Sequence, residues 1–243
     1  MRLDKILADS GFGTRSEVRK LISRGNAVVN GKVVRDASCK LGPEDELTCF
    51  GKPVEIHEGK SFYYLLLDKP DEVLTAMEDS RLPNVGDLIE DRYKNRGVSP
   101  VGRLDYHTTG LLLLTNDGEL SHRLTSPSYG ISKTYLVRFS GDPLTDEEIA
   151  KAGSGITLTD TDVPVRLKPC EIVREAEDQA RIILTEGKTH EVRRIMAHFG
   201  KEVISLRRIG IASLFLSEKS APGDLRELTS EETDLLKKAV RLS

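Results

Sequence analysis

The sequence predicts an α+β chain in two unequal parts, a small N-terminal domain over residues 1–59 and a larger domain over residues 60–243. The larger part is expected to hold a mixed, mostly antiparallel sheet flanked by helices. Three observations predict this. Short apolar runs with strand character recur along the chain, and few helical patterns interrupt them. A pair of short helices and a tight hairpin open the chain, ahead of a Gly42-to-Gly59 stretch rich in Asp, Glu, Gly and Pro that suits a linker, with a boundary near Glu58-Gly59-Lys60. Leu111-Leu112-Leu113-Leu114 is apolar on four consecutive positions, as a strand buried on both faces must be.

Taken in order, Leu3, Ile6 and Leu7 have helical spacing and Gly11 ends that helix. Thr14 and Glu17 form a capping box for a second helix, Val18, Leu21 and Ile22 make its apolar stripe, and Gly25 closes it. Its other face is basic. Arg15 with Arg19, and Lys20 with Arg24, are four apart, and such like-charged pairs oppose helix formation slightly unless a polyanion faces them. Ala27 to Val34 reads as two strands about an Asn30-Gly31 turn. Phe62 to Leu67 is a buried strand ending at Asp68-Lys69-Pro70, and Asn84 to Tyr93 is expected to be one helix with Val85, Leu88 and Ile89 on one face. Glu119 to Thr125 is a short helix, Lys133 to Phe139 a half-buried strand, and Thr145 with Glu148 caps a helix that Gly153 closes. Val165 to Arg174 and Ala180 to Thr185 are further strands. A helix follows with Val192, Ile195, Met196 and Phe199 inward, so Arg193 and Arg194 cannot both enter its apolar face. Val203 to Ile209 and Ile211 to Leu216 are closing strands, and Thr229 with Glu232 caps a terminal helix.

Composition excludes several classes of function. No stretch approaches the roughly 20 apolar residues of a membrane span, and Met1-Arg2-Leu3-Asp4-Lys5 lacks the apolar core of a signal peptide, so a cytoplasmic protein is expected. Cys39, Cys49 and Cys170 are widely spaced without a Cys-x-x-Cys, which suits structural thiols in a reducing compartment. His190 and His198 lack a third ligand at metal-binding spacing, so no metal site is expected. The net charge of −3 argues against a general polyanion binder, yet its distribution is uneven. Between Gly187 and Arg208 the six cations Lys188, Arg193, Arg194, Lys201, Arg207 and Arg208 face only Glu191 and Glu202, a local charge of +4. One positive face on a nearly neutral molecule is the footprint of nucleic-acid binding.

The stretch most suited to chemistry runs from Gly102 to Gly118. Asp105 stands in a polar, Gly-bounded turn that leads directly into the four leucines, and a loop carboxylate on a rigid strand is a sound catalytic mount.

Two resemblances extend this reading. Leu3 to Leu7, Thr14 to Ile22 and Val28 to Val34 resemble, in order, the S4 RNA-binding domain, and this implies RNA contact by Arg15, Arg19, Lys20 and Arg24. Gly102-Arg103-Leu104-Asp105 with Thr108 to Gly118, Ser132-Lys133-Thr134-Tyr135, and Glu186 to Arg194 resemble the three motifs of the RNA pseudouridine synthases. The Pro83-to-Asp91 and Pro222-to-Thr229 segments look most like the small-subunit branch of that family, the 16S rRNA pseudouridine(516) synthases.

The resemblance implies an isomerase that needs no cofactor and no metal. Asp105 would be its essential carboxylate, attacking the sugar or acting on C2′, with Arg193 as its ion-pair partner and Tyr135 stacking on the target base. Lys188, Arg194, Arg207 and Arg208 would contact phosphates, and Arg103 would place the strand beside Asp105. The implied partner is 16S rRNA or a small-subunit assembly intermediate, bound by a monomer. His107 stands where relatives often carry an acid and Glu191 where they often carry Gln, so neither joins the catalytic set. Competing readings are a synthase acting on 23S rRNA, a non-catalytic RNA-binding assembly factor, and a metal-dependent RNA hydrolase.

Overall fold

Two short helices, the second with a capping box, and two tight hairpins build the N-terminal part. Helix α1 (Leu3–Asp9) precedes α2 (Arg15–Ser23), where Glu17 N–H donates to Thr14 Oγ1 at 3.4 Å and Thr14 N–H donates to the Glu17 carboxylate at 2.8 Å. That reciprocal pair satisfies two donors a helix start leaves open. Strands β1 (Ala27–Val29) and β2 (Lys32–Val34) meet at Asn30 and Gly31, whose φ angles of 49° and 74° make the primed turn that matches strand twist. Strands β3 (Leu47–Cys49) and β4 (Lys52–Val54) complete a sheet of order β2-β1-β3-β4 over the helices, with Leu3, Leu7, Val18, Ile22 and Leu47 at its core.

The computed structural model describes residues 1–56, 62–160 and 162–242. The expected boundary at Glu58-Gly59-Lys60 lies outside the described residues. Beyond it come β5 (Tyr64–Lys69), α3 (Asp91–Lys94), β6 (Ser99–Pro100), β7 (Thr108–Thr115), α4 (Gly118–Thr125), β8 (Lys133–Ser140) and α5 (Asp146–Gly153). Then follow β9 (Thr157–Leu158), β10 (Val165–Arg166), β11 (Glu171–Ala176), β12 (Gln179–Leu184), α6 (Glu191–His198), β13 (Glu202–Ile211), β14 (Leu214–Phe215), β15 (Leu225–Glu227) and α7 (Ser230–Ala239). The main sheet runs β11-β12-β8-β13-β7-β5-β15, with β6 on β7 and β14 on β13. Among the described pairings in it, β13 with β7 is parallel and the others are antiparallel, so the sheet is mixed and mostly antiparallel as predicted.

The four leucines of β7 do what their pattern required. Leu111 and Leu113 enter a core with α4 and α7, while Leu112 and Leu114 enter another on the opposite face with Val85, Ile89 and Tyr93. Burying each stabilises the fold by roughly 1.5–3 kcal/mol, which makes β7 a rigid central element. No helix among the described residues is long and apolar enough to cross a membrane.

Three expected elements differ. Asn84 to Tyr93 is not one helix but a 3-10 turn (Val85–Leu88), an extended Ile89 and then α3. The helical path breaks at Ile89, whose φ of −112° and ψ of 134° are extended and whose side chain is buried in the core with Leu112 and Leu114. Val165 to Arg174 is interrupted, because Lys168 N–H donates to Glu186 Oε1, Cys170 N–H donates to Ala152 O, and Pro169 has no N–H to give. The two closing strands are one ten-residue strand, β13, followed by a turn at Ala212 (φ 51°) into β14.

Candidate active site

Three neighbouring strands converge where the Asp105 loop begins. Thr108 at the start of β7 pairs with Leu206 of β13, Gly110 pairs with Arg208, and Arg208 in turn faces Tyr135 of β8. Gly110 is required for this approach. Its φ is 97°, and a Cβ there would lie 2.2 Å from the Arg208 carbonyl oxygen.

The loop that carries Asp105 is pinned on both sides of it. Leu104 is buried, its N–H donates to Thr75 Oγ1 at 3.1 Å, and the Thr75 hydroxyl donates to Leu104 O at 2.6 Å. Asp105 O accepts the Thr108 N–H at 3.0 Å. Beneath the loop the buried Lys69 ammonium donates to Val73 O at 2.7 Å, Pro70 O at 2.9 Å and Tyr106 O at 3.3 Å. Burial lowers its pKa to about 8, against the pull of Asp71 and Asp105. The backbone is thus fixed while the Asp105 carboxylate stays 43% exposed.

Asp105 borders a cavity of about 500 Å³ whose lining includes Lys133, Tyr135, His190, Glu191 and Arg208, a size suited to a ligand with one or two rings. Tyr135 sits in its wall with both halves of the core behind it. The expected Arg193–Asp105 ion pair is not formed. Arg193 donates instead to the carbonyls of His107 at 3.1 Å and Val203 at 3.5 Å, so carbonyls already satisfy this half-buried guanidinium two residues from the carboxylate. The side chain set against Asp105 is instead His190, whose Nε2 lies 3.6 Å from Oδ1. His190 caps α6 in a left-handed conformation, φ 52° and ψ 31°, which turns its ring back toward the loop.

Glu191 is buried in the same wall and accepts the Lys188 N–H at 2.8 Å. Burial, aided by the Glu186 charge and opposed by that hydrogen bond, raises its pKa to about 7. Glu186 is also buried, but the Lys168 N–H and the Lys188 ammonium hold its pKa below the usual carboxylate value. In its protonated form Glu191 both donates and accepts, as a glutamine in that place would.

The cations expected to face RNA divide into distinct groups. Arg15, Lys20 and Arg24 are exposed on α2 with no ion-pair partner among the described residues, and Arg103 is exposed at the cavity edge. Arg19 is bound to the buried Asp4 at 3.1 Å, Arg194 to Asp160 through two 2.7 Å hydrogen bonds, and Lys188 to Glu186 at 3.4 Å. Arg207 and Arg208 point to opposite faces of β13, because side chains alternate along a strand. Arg207 pairs with the buried Asp68 on β5, and Arg208 is buried in the cavity wall, donating through Nε to Leu111 O at 2.8 Å. Neither presents a free guanidinium to an RNA backbone. Lys69, Lys133 and His190 were not foreseen as parts of the site. Lys69 carries a faint signal in closing a buried strand before Pro70, whereas the approach of His190 to Asp105 spans 85 positions and has no local signature.

Comparison with known proteins agrees with this arrangement. Residues 63–198 match the model of the RNA pseudouridylate synthase family and residues 1–47 that of the S4 domain. An uncharacterised RNA pseudouridine synthase of Bacillus subtilis is 38% identical over 97% of this chain and 98% of its own length. The ribosomal small subunit pseudouridine synthase A of Vibrio parahaemolyticus is 36% identical, over 96% and 98%. The ribosomal large subunit pseudouridine synthase B of B. subtilis is 37% identical, over 97% and 95%. A crystal structure of a pseudouridylate synthase superposes with a TM-score of 0.66 at 32% identity, over 97% of this chain and 99% of that one. A carboxylate-bearing loop fixed over a nucleoside-sized cavity, behind an S4 domain, therefore belongs to a member of the RNA pseudouridylate synthase family, an isomerase of uridine in RNA.

Proposed function

We propose that this protein converts one uridine of small-subunit ribosomal RNA, U516 of 16S rRNA, to pseudouridine, acting as a monomer in the cytoplasm on the free RNA or on an assembly intermediate. The observation that carries the reading is the half-exposed Asp105 carboxylate on a pinned backbone at the mouth of a nucleoside-sized cavity. Relatives named for the small subunit, at 34–36% identity along nearly the whole chain, favour that RNA. The large-subunit relative at 37% makes 23S rRNA the second reading.

In the proposed reaction the target base leaves its stack at a cost of a few kcal/mol and enters the cavity, with Tyr135 against its ring. Asp105 acts on the sugar, either by attack at C1′ or by taking the C2′ proton, and the N1–C1′ bond breaks. The base turns and rejoins through C5 as Asp105 is restored, the C5 proton is lost with Tyr135 placed to assist, and N1 takes up a proton to complete the isomerisation. Arg193, held two residues away on the His107 carbonyl, is the guanidinium available to orient Asp105 when RNA displaces His190. Arg103 and the exposed face of α2 hold the RNA in register.

Carbodiimide-adduct primer extension on ribosomal RNA from cells lacking the protein tests this reading. Loss of one 16S stop at U516, restored by wild type and not by Asp105→Asn, is the expected result. A lost 23S stop instead would transfer the substrate to the second reading, and no lost stop would overturn both.

A further inference from the structure

Arg208 has no function in the reaction as outlined, and its surroundings are physically costly. The residue is 3% exposed, forms no ion pair among the described residues, and makes one hydrogen bond, from Nε to Leu111 O, while its Nη2 is buried without a partner. A guanidinium taken out of water without a counter-ion is destabilising by several kcal/mol. Lys133 stands beside it. It lies two residues before Tyr135 on β8, so the pleat turns both to the cavity, and its ammonium reaches only the Glu186 carbonyl at 3.5 Å. Burial and the charge of Arg208 lower the Lys133 pKa, against the pull of Glu191. The Thr108 hydroxyl, also buried and unpartnered, lines the same space. Two cations with unused donors thus face one cavity, and the carboxylate at its mouth is engaged by His190. The ligand that satisfies them is small, rich in acceptor oxygens, and negatively charged while it is held.

We propose that Arg208 and Lys133 form the subsite that takes the two carbonyl oxygens of the target pyrimidine and stabilises the detached base as an anion. This rests on the cavity being the uridine site. When N1–C1′ breaks, the electron pair stays with the base and its charge spreads from N1 onto O2 and O4, while C1′ bonds to Asp105 or C2′ gives it a proton. The same pair, delocalised to C5, then forms the C5–C1′ bond as C1′ leaves Asp105 or C2′ regains its proton; C5 gives up its proton and N1 takes one up, so nothing is gained or lost overall. Charge on the base is greatest between the two bonds, where fixed donors in a dry site lower the barrier most. The turn of the base that exchanges N1 with C5 also exchanges O2 with O4. Two cationic donors of similar kind accommodate either orientation.

The test is single-turnover consumption of the target nucleoside in the RNA segment the protein modifies, synthesised with uridine or 5-fluorouridine at that position. Fluorine stabilises the departing anion and lessens the need for help. Arg208→Gln should slow the uridine reaction at least about 100-fold, the usual loss for one buried donor to developing charge, while RNA affinity stays within about threefold. The defect should shrink at least about tenfold on 5-fluorouridine, as transition-state bookkeeping requires if the lost group stabilised that anion. Arg208→Lys should recover part of the rate, and should Arg208→Gln fail to fold, Arg208→Lys and Lys133→Gln carry the same two-substrate comparison. An equal defect on both substrates, affinity falling in step with rate, or a rate within about threefold of wild type would overturn the proposal. Wild-type protein inactive on ribosomal RNA would overturn the proposed function instead.

Discussion

The cations of α2 and those of the cavity wall are the same residue types in opposite surroundings. Arg15, Lys20 and Arg24 stand in water on a helix face, where salt screens them and each contributes modestly to holding a polyanion. Arg208 is buried and Lys133 half-buried in the wall of a cavity, where a unit charge acts more strongly than in water. In the proposed function the first group governs how tightly RNA is held and the second how fast its base reacts.

The largest effect that sharpens this contrast is at Asp105. Asp105→Asn should lower the single-turnover rate at least about 10³-fold, since a reacting carboxylate has no substitute, while RNA affinity by filter binding stays within a few-fold. Retained activity would remove Asp105 from the chemistry. On α2, replacing Arg15, Lys20 and Arg24 together with Gln should reduce the slope of log affinity against log salt by about 2 to 3, as loss of three phosphate contacts requires, with the rate at saturating RNA unchanged. An unaltered slope would show that this face does not meet RNA.

The smallest effect concerns the buried Glu191 carboxyl in the cavity wall. Below pH 4.5, the ordinary value for this acid, Glu191 is protonated in both folded and unfolded chains. The stability it contributes there is lost as pH rises through about 7, because the unfolded chain ionises first. Glu186, whose pKa is lowered, opposes this trend. Glu191→Gln keeps the donor and acceptor without the titration, so between pH 5 and 8 its melting temperature should rise relative to wild type. The size is on the order of 1 kcal/mol, or several degrees. Parallel melting curves for the two proteins across that range would show that burial does not hold the Glu191 carboxyl protonated.

Local signals made much of the fold legible. The Thr14–Glu17 box, the Asn30-Gly31 turn and the run Leu111 to Leu114 each act within a few residues, and each formed as its chemistry required. The second hairpin turn, at Phe50-Gly51, escaped notice because phenylalanine rarely takes a positive φ. The expected Asn84-to-Tyr93 helix is broken at Ile89, which turns extended where it packs into the core beside Leu112 and Leu114, a contact with no local signature. At the site, the placement of Asp105 and Tyr135 on one cavity followed the motif order, but the holding of Arg193 by carbonyls did not.

What the sequence determined by itself is most of the elements, the position of the carboxylate-bearing loop and the local excess of positive charge, since these depend on composition and on neighbours along the chain. What only the tertiary structure decided is which charges remain free. Arg207 meets Asp68 across 139 positions, Arg208 is enclosed beside Leu111, and His190 reaches Asp105. Burial and pairing set the energy of a charge, and both depend on which strands lie side by side.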